Sequence, residues 1–168
     1  MVEIEKNCED VKRSNDECGY TVAKKRVNLV GAFQILASIV IIGALFFGSF
    51  EGILQFTLAC AFVLLNFIAG VTAIKGKVHL YWLSIINQSL QVVSFSVSGL
   101  EVNYSGIGGA CLKVFWGDVS GFVFNAYVSP GFSIENYPES FTSGYIAIDV
   151  LALIFIAALL TARKKSIS

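Results

Sequence analysis

The feature that constrains this chain most is a set of four long stretches without a formal charge. They cover residues 27–50, 52–74, 78–100 and 143–162, and only the last is interrupted, by Asp149. A helix of about 20 residues crosses roughly 30 Å of hydrocarbon. Each stretch is therefore long enough to span a bilayer.

Composition agrees with a membrane location. Of the 168 residues, 55% are hydrophobic and only 14% are charged, whereas soluble domains carry about 25% charged residues. The sequence predicts an all-α membrane protein with four transmembrane helices. A small antiparallel β region is expected in the outer loop between helices three and four.

Basic residues predict the orientation. They cluster at 24–26, 75–77 and 163–165, which fall on one side if the number of spans is even. The positive-inside rule makes that side the cytoplasm, so we expect a multi-pass protein of the bacterial inner membrane with both termini cytoplasmic. The predicted parts are a solvated cytoplasmic tail (1–23), helices one to three (24–100), an extracytoplasmic β-rich loop (101–142), and helix four with a basic cytoplasmic tail (143–168).

The loop at 101–142 is too long for a plain connection and has strand-like composition. The segments "LEVNYS" (100–105) and "ACLKVFW" (110–116) favour strands, and two more β-rich runs flank the turn at Ser129-Pro130-Gly131. We expect three or four short antiparallel strands outside the membrane, with one face able to rest on headgroups. The predicted outer interaction surface comprises Phe115, Trp116, Phe122, Phe124 and Phe132.

The third charge-free stretch contains the segment "IINQSLQ" (85–91), with three amides near its centre. At 100° per residue, the polar side chains fall within about a third of the helix circumference. This stripe comprises Ser84, Asn87, Gln88, Gln91, Ser94 and Ser98. Amides that face lipid lack partners and are costly, so the stripe must face other helices or a wet cavity.

Two interpretations of the stripe remain open. Interhelical hydrogen bonding is favoured, with Gln34 and Ser38 on the first helix and Asn66 on the second as partners. A polar pathway or ligand site is the alternative. Asp149 is the only carboxylate within a predicted span, which makes it a candidate functional residue.

Catalytic constellations are absent from the sequence. It contains one histidine, His79, with no cysteine or acid close to it in sequence, and no phosphate-binding loop or zinc-ligand spacing. We therefore expect no enzyme, no cofactor, no metal and no direct nucleic-acid partner.

Two resemblances bear on function. The span layout is similar to that of tetraspanins, but the outer loop lacks their Cys-Cys-Gly motif. The passages "NFIAGVTAIKGK", "YWLSIINQSLQVVSFSVSGL" and "YIAIDVLALIFIAALL" resemble small bacterial four-helix membrane proteins, among them the membrane subunits of the Kiwa anti-phage defence system. That resemblance implies a homo-oligomer of the inner membrane that senses phage attack and works with a cytoplasmic effector protein.

Three functions are consistent with these patterns. The first is a non-enzymatic oligomeric sensor or scaffold in the lipid bilayer. The second is a small channel or transporter lined by the helix-three stripe and Asp149. The third is a membrane chaperone or assembly factor.

Overall fold

The computed structural model describes residues 2–47, 53–106, 108–117, 120–127, 131–136 and 143–167. They form four α-helices, one short 3-10 turn and six strands. The helices are α1 (Val2–Phe47), α2 (Ile53–Ile74), α3 (Tyr81–Val92) and α4 (Val150–Ile167), with the 3-10 turn at Val78–Leu80. The strands are β1 (Val93–Val97), β2 (Leu100–Ser105), β3 (Gly109–Trp116), β4 (Gly121–Tyr127), β5 (Gly131–Asn136) and β6 (Gly144–Asp149).

The prediction of an all-α protein with four transmembrane helices is wrong. The stretch 78–100 is helical only to Val92 and continues as β1, and the stretch 143–162 begins as β6 before it becomes α4. All strands join one antiparallel sheet in the order β4-β3-β6-β1-β2-β5. The strands predicted in the loop are present, but the two central strands come from segments that were predicted to be helical.

Alternation of residue types explains why the third stretch changes conformation. From Val93 to Val97 the sequence reads Val-Ser-Phe-Ser-Val, which is the period of a strand. Ser98 and Gly99 follow with φ of 51° and 81°, and Val97 pairs with Leu100. Two consecutive positive φ angles between paired strands are typical of a two-residue hairpin turn.

The sheet curls strongly about one face. β4 and β5 lie at opposite edges, although only residues 128–130 separate Tyr127 from Gly131. Four Cα–Cα steps reach at most about 15 Å, whereas five strand spacings in a flat sheet are about 24 Å. The Tyr127 hydroxyl also lies near Ser105 of β2, which three strands separate from β4. The sheet is therefore an incomplete barrel, with these side chains on its inward face.

The polarity of the barrel is inverted relative to a soluble protein. The inward face carries polar groups: Lys113 lies over the Tyr145 ring, 4.6 Å from its centroid, and the Tyr145 hydroxyl donates to Glu101 at 2.6 Å. The outward face is apolar and largely exposed. Its exposed members include Val93, Val97, Leu112, Val114, Trp116, Phe122, Phe124, Ile146 and Ile148.

Helices α1 and α2 form a closely packed hairpin. A Cβ on Gly31 would lie 2.8 Å from the Gly70 carbonyl oxygen, and one on Gly70 would lie 2.7 Å from that of Gly31. By length and composition, two helices are able to cross a membrane, in the windows Gly19–Gly43 and Phe56–Ile74. Helix α1 runs without interruption from Val2 to Phe47, so it includes residues 2–23 of the predicted solvated tail (1–23).

At the end of the helices that lies farthest from the sheet, side chains pack around a small apolar core. Ala23 and Val27 of α1, Ala73 of α2, and Leu159 and Ala162 of α4 are all buried there. Lys24 and Lys75 line a pocket at the same end. The three basic clusters identified in the sequence are therefore adjacent to residues that meet at one end of the bundle.

Candidate functional site: a buried polar network and its cavity

The amide-rich face of α3 points into the protein. Ser84, Asn87, Gln88 and Gln91 are buried, whereas Ile86 and Leu90 on the opposite face are exposed. Only four of the six residues in the predicted stripe lie on a helix, because α3 ends at Val92. Ser94 is buried but belongs to β1, where its hydroxyl donates to Asn103 at 2.9 Å, and Ser98 is exposed in the hairpin turn.

Three side chains from α2, α3 and β2 form a closed ring of hydrogen bonds. The Asn66 amide donates to the Tyr104 hydroxyl at 2.9 Å, and that hydroxyl donates to Asn87 Oδ1 at 2.8 Å. The Asn87 amide then donates to Asn66 Oδ1 at 2.5 Å. The Tyr104 ring also stacks on Phe62 of α2 at a centroid distance of 4.3 Å. The ring thus ties the sheet to two helices in the protein interior.

A second set of bonds connects α1 to α2 and α3. The Ser84 hydroxyl lies 3.0 Å from both Gln34 Oε1 and the Ala69 carbonyl oxygen. The Ser38 hydroxyl donates to the Gln34 carbonyl oxygen at 2.9 Å. Gln34 and Asn66, which the sequence suggested as partners for the stripe, therefore lie in contact with it.

A cavity of about 300 Å³ lies beside this network. It is bounded by α1, α3, α4 and the end of the barrel that contains Gly106, Gly109 and Tyr127. Its lining comprises Phe33, Gln34, Ala37, Asn66, Gln88, Gln91, Gly106, Gly108, Gly109, Ala110, Ala126, Tyr127, Leu151 and Phe155. Most of this surface is apolar, but Gln34, Gln88 and Gln91 each contribute a buried amide.

The amides at the cavity are incompletely paired within the described residues. Gln91 Oε1 accepts the Gly106 N–H at 3.2 Å, while Gln91 Nε2 has no partner. Gln34 Nε2 likewise has none, and no hydrogen bond is found for Gln88. The Tyr104 hydroxyl lies near Gln91 without meeting hydrogen-bond geometry. Burying an unpaired amide is unfavourable, so this wall of the cavity is suited to a bound molecule.

Asp149 has a structural position at the strand–helix junction. Its Oδ1 accepts the N–H groups of Leu151 at 2.8 Å and Ala152 at 3.3 Å, which is the geometry of an N-cap for α4. The same oxygen accepts the Ala110 N–H of β3 at 3.2 Å. Because a Cβ on Gly109 would clash with Asp149 Oδ2, close approach of β3 requires glycine there.

The predicted aromatic surface divides between the two faces of the sheet. Trp116, Phe122 and Phe124 lie on the outward face, and the latter two are 79% and 63% exposed. Phe115 lies on the inward face, where its ring contacts Tyr145 at 5.8 Å. The backbone of Phe132 pairs with Tyr104, but its side chain lies outside the described residues. These aromatic residues therefore do not form one continuous surface.

Sequence reasoning did not identify Tyr104, Gly106 or Tyr127 as parts of the site. Tyr104 was visible only as one residue of a predicted outer strand, and no local pattern places its hydroxyl beside Asn66. Cys111 is buried, with its sulfur 3.7 Å from the Tyr127 hydroxyl. In the described ranges, no group of three or more His, Cys, Asp or Glu side chains is arranged to hold a metal ion.

Comparisons with known proteins give no relative from which function could be transferred. No protein-family model, curated protein or solved structure matches this chain.

Proposed function

We propose that the protein is a non-enzymatic, multi-pass membrane protein that acts as a homo-oligomeric sensor or scaffold with a cytoplasmic partner. The observation that carries this proposal is the inverted polarity of the molecule. Gln34, Asn66, Asn87 and other polar side chains are buried in the interior beside mostly small apolar residues, while large apolar residues cover the helices and the outward face of the sheet. In transmembrane barrels, strands likewise alternate between an apolar lipid face and a polar interior.

The position of β2 supports placing the sheet partly within the bilayer. Tyr104 contacts Phe62 and Asn66, which lie near the middle of the candidate span Phe56–Ile74. If α2 crosses the membrane, the end of the barrel that contains Tyr104 lies at the depth of the bilayer centre. An apolar outward face then contacts hydrocarbon rather than water.

The length of α3 argues against a crossing by that helix. Its 12 residues extend about 18 Å, which is shorter than the hydrocarbon thickness of about 30 Å. The candidate spans are therefore those of α1 and α2. The basic clusters at one end support cytoplasmic placement of both termini.

An exposed edge strand supports self-association. Most of β4 is exposed on both faces, and among the described strands its outer edge has no partner. Open sheet edges facing lipid leave backbone groups unsatisfied and do not occur within hydrocarbon. We propose that β4 of one copy pairs with an edge strand of a second copy.

The length of α1 supports a cytoplasmic partner. The helix begins at Val2, before the candidate window that starts at Gly19. The intervening 17 residues would extend about 26 Å beyond the window, and they carry both charge signs. A charged helical extension of this length provides a surface on which a cytoplasmic partner would dock. A role in anti-phage defence stays a prediction, tested by comparing phage infection of cells with and without the gene.

The channel alternative has weaker support. The ring formed by Asn66, Asn87 and Tyr104 uses its polar groups in mutual hydrogen bonds, and Asp149 Oδ1 caps α4. These groups have packing roles that account for their burial. A conducting path would instead require them to face continuous water.

The assembly proposal is tested with matched pairs of substitutions on the outward face. Phe122→Ala with Phe124→Ala removes apolar surface from the edge strand β4. Ile146→Ala with Ile148→Ala removes similarly oriented surface from the central strand β6, where these side chains are 44% and 43% exposed. In native mass spectrometry from nanodiscs, we expect the β4 pair to release monomers and the β6 pair to remain oligomeric. A wild-type monomer, or equal loss of assembly in both variants, would contradict pairing through β4.

A further inference from the structure

We propose that the cavity beside α3 binds a neutral, lipid-soluble molecule that carries carbonyl acceptors, such as an isoprenoid quinone or an acyl-ester lipid. The inference relies on the membrane location proposed above and goes beyond it by assigning a ligand site. It depends on three observations: unpaired buried amides, an apolar lining without basic side chains, and a position at the outer surface.

The orientation of the Gln91 amide leaves a hydrogen-bond donor unpaired beside the cavity. The Gly106 N–H can bond only to an acceptor, so it fixes Oε1 of Gln91 toward itself. Nε2 is then left without a partner, although Gln91 is only 7% exposed. A ligand that accepts a hydrogen bond satisfies this group.

Gln34 adds a second incompletely paired amide at the cavity, although its orientation is not fixed as that of Gln91 is. The Ser84 hydroxyl has one proton and lies 3.0 Å from both the Ala69 carbonyl oxygen and the Gln34 amide. It cannot donate to both, so either orientation of the Gln34 amide leaves one polar atom incompletely paired. Gln34 is 2% exposed and lines the cavity.

Gln88 provides a third amide, which differs from the other two because neither of its polar atoms is hydrogen-bonded to the described residues. It lines the cavity, is almost completely buried, and forms no hydrogen bond with the described residues. Its side chain therefore contributes nothing to the network that holds the helices together. It is the position at which a ligand contact can be removed without breaking a bond within the protein.

The lining favours an apolar molecule over a cluster of water. A volume of about 300 Å³ would hold roughly ten waters at about 30 Å³ each, and each buried water needs two to four polar partners. Apolar side chains such as Phe33, Ala37 and Phe155 provide none. The lining residues include no Lys, Arg or His, so the site lacks a counter-ion for an anionic headgroup.

The cavity lies at the outer surface of the molecule. Phe33 of α1, Leu151 of α4 and Ala126 of β4 line it and are exposed. The rings of Phe33 and Phe155, which both line the cavity, approach to 6.0 Å. With this surface in hydrocarbon, as proposed above, lipid-soluble molecules reach the cavity from the bilayer.

The test measures ligand content and ligand binding in the full-length protein. Protein purified into nanodiscs is extracted with organic solvent, and quinones and acyl lipids are quantified by mass spectrometry. Decylubiquinone and a neutral diacylglycerol are then titrated separately by native mass spectrometry. We expect one of the two probes to bind at one site per chain, and which of them binds identifies the source of the carbonyl group.

Three variants give the proposal its controls. Gln88→Met should lower affinity for the binding probe by about tenfold, because one hydrogen bond to the ligand is lost, while thermal stability is maintained. Ala126→Trp should obstruct the cavity and abolish binding. Ser89→Met, on the exposed side of α3, should bind like the wild type.

Binding of neither probe, or unchanged binding in both Gln88→Met and Ala126→Trp, would overturn the ligand site. Resistance of the protein to extraction from membranes by alkaline carbonate tests the membrane location separately. A protein that stays in the membrane but binds neither probe refutes only the ligand. A protein released by carbonate refutes the membrane location itself.

Discussion

The ring of hydrogen bonds around Tyr104 provides a quantitative test of how the sheet is joined to the helices. Replacing Tyr104 with Phe keeps the aromatic ring that stacks on Phe62 and removes only the hydroxyl. That hydroxyl accepts from Asn66 at 2.9 Å and donates to Asn87 at 2.8 Å. The substitution therefore leaves two buried amide atoms without a partner.

The expected loss of stability follows from those two atoms. Each unsatisfied buried polar group costs about 1–3 kcal/mol, and hydrogen bonds between membrane helices measure about 0.6–1.7 kcal/mol. We expect Tyr104→Phe to lower the free energy of unfolding by about 2–4 kcal/mol. At about 2–4 °C per kcal/mol for a chain of this size, the melting temperature should fall by about 4–16 °C.

Tyr145→Phe is the matched control for Tyr104→Phe. The Tyr145 hydroxyl also makes one short bond, to Glu101 at 2.6 Å, but it lies in a partly exposed position where water can replace it. We expect this change to cost less than about 1 kcal/mol. Both variants are compared by reversible unfolding in mixed micelles, followed by tryptophan fluorescence. Equal losses in the two variants would refute the argument that the ring is dry and structurally important.

The remaining predictions concern the helix contacts and the cap. Gly31→Ala should lower the free energy of unfolding by about 1–3 kcal/mol, because the added methyl group would press against Gly70. In Gly43→Ala the added Cβ meets nothing within 4 Å, so this change should be neutral or stabilise the protein by up to about 1 kcal/mol. A thermal melt that ranks the two variants in the opposite order would count against the α1–α2 packing. Asp149→Ala should cost about 0.5–2 kcal/mol through loss of the cap, whereas Asp149→Asn should recover most of it. Equal destabilisation by both substitutions at Asp149 would indicate that its charge, rather than capping, is what matters.

Much of the arrangement of the interior could be predicted from the sequence. The angular position of Asn87 and Gln91 on a helix indicates which side of α3 faces inward, and that side is buried. The pairing of the stripe with Gln34 and Asn66 was also expected. These predictions depend on local periodicity, which survives even where the helix is shorter than expected.

The helix–strand boundaries were not predicted, because hydropathy alone cannot distinguish an apolar helix from an apolar strand. The segment Val93–Val97 and the segment Gly144–Asp149 lie within apolar stretches, but their outward side chains alternate with inward ones. The alternation at 93–97, followed by Ser98-Gly99, was the available signal. The position of Tyr104 beside Asn66 could not be deduced, because it depends on contact between residues 38 positions apart.

The curling of the sheet could not be predicted from the sequence either, because it depends on which strands pair with each other. The residues around Ser129-Pro130-Gly131 favour a local turn between two strands that would pair as neighbours. In the structure, the flanking strands β4 and β5 lie at opposite edges of the sheet. Only the complete strand order reveals that the short connection requires an incomplete barrel.

The most direct test of the central claim is whether the outward face of the barrel contacts lipid. Single cysteines at Leu112, Val114 and Trp116 of β3, in a background without the natural cysteines, can carry nitroxide spin labels in liposomes. We predict high accessibility to oxygen and low accessibility to a water-soluble nickel chelate, with the ratio rising from Trp116 toward Leu112. High nickel accessibility at Leu112 and Val114 would place this face in water and contradict the membrane-embedded sheet.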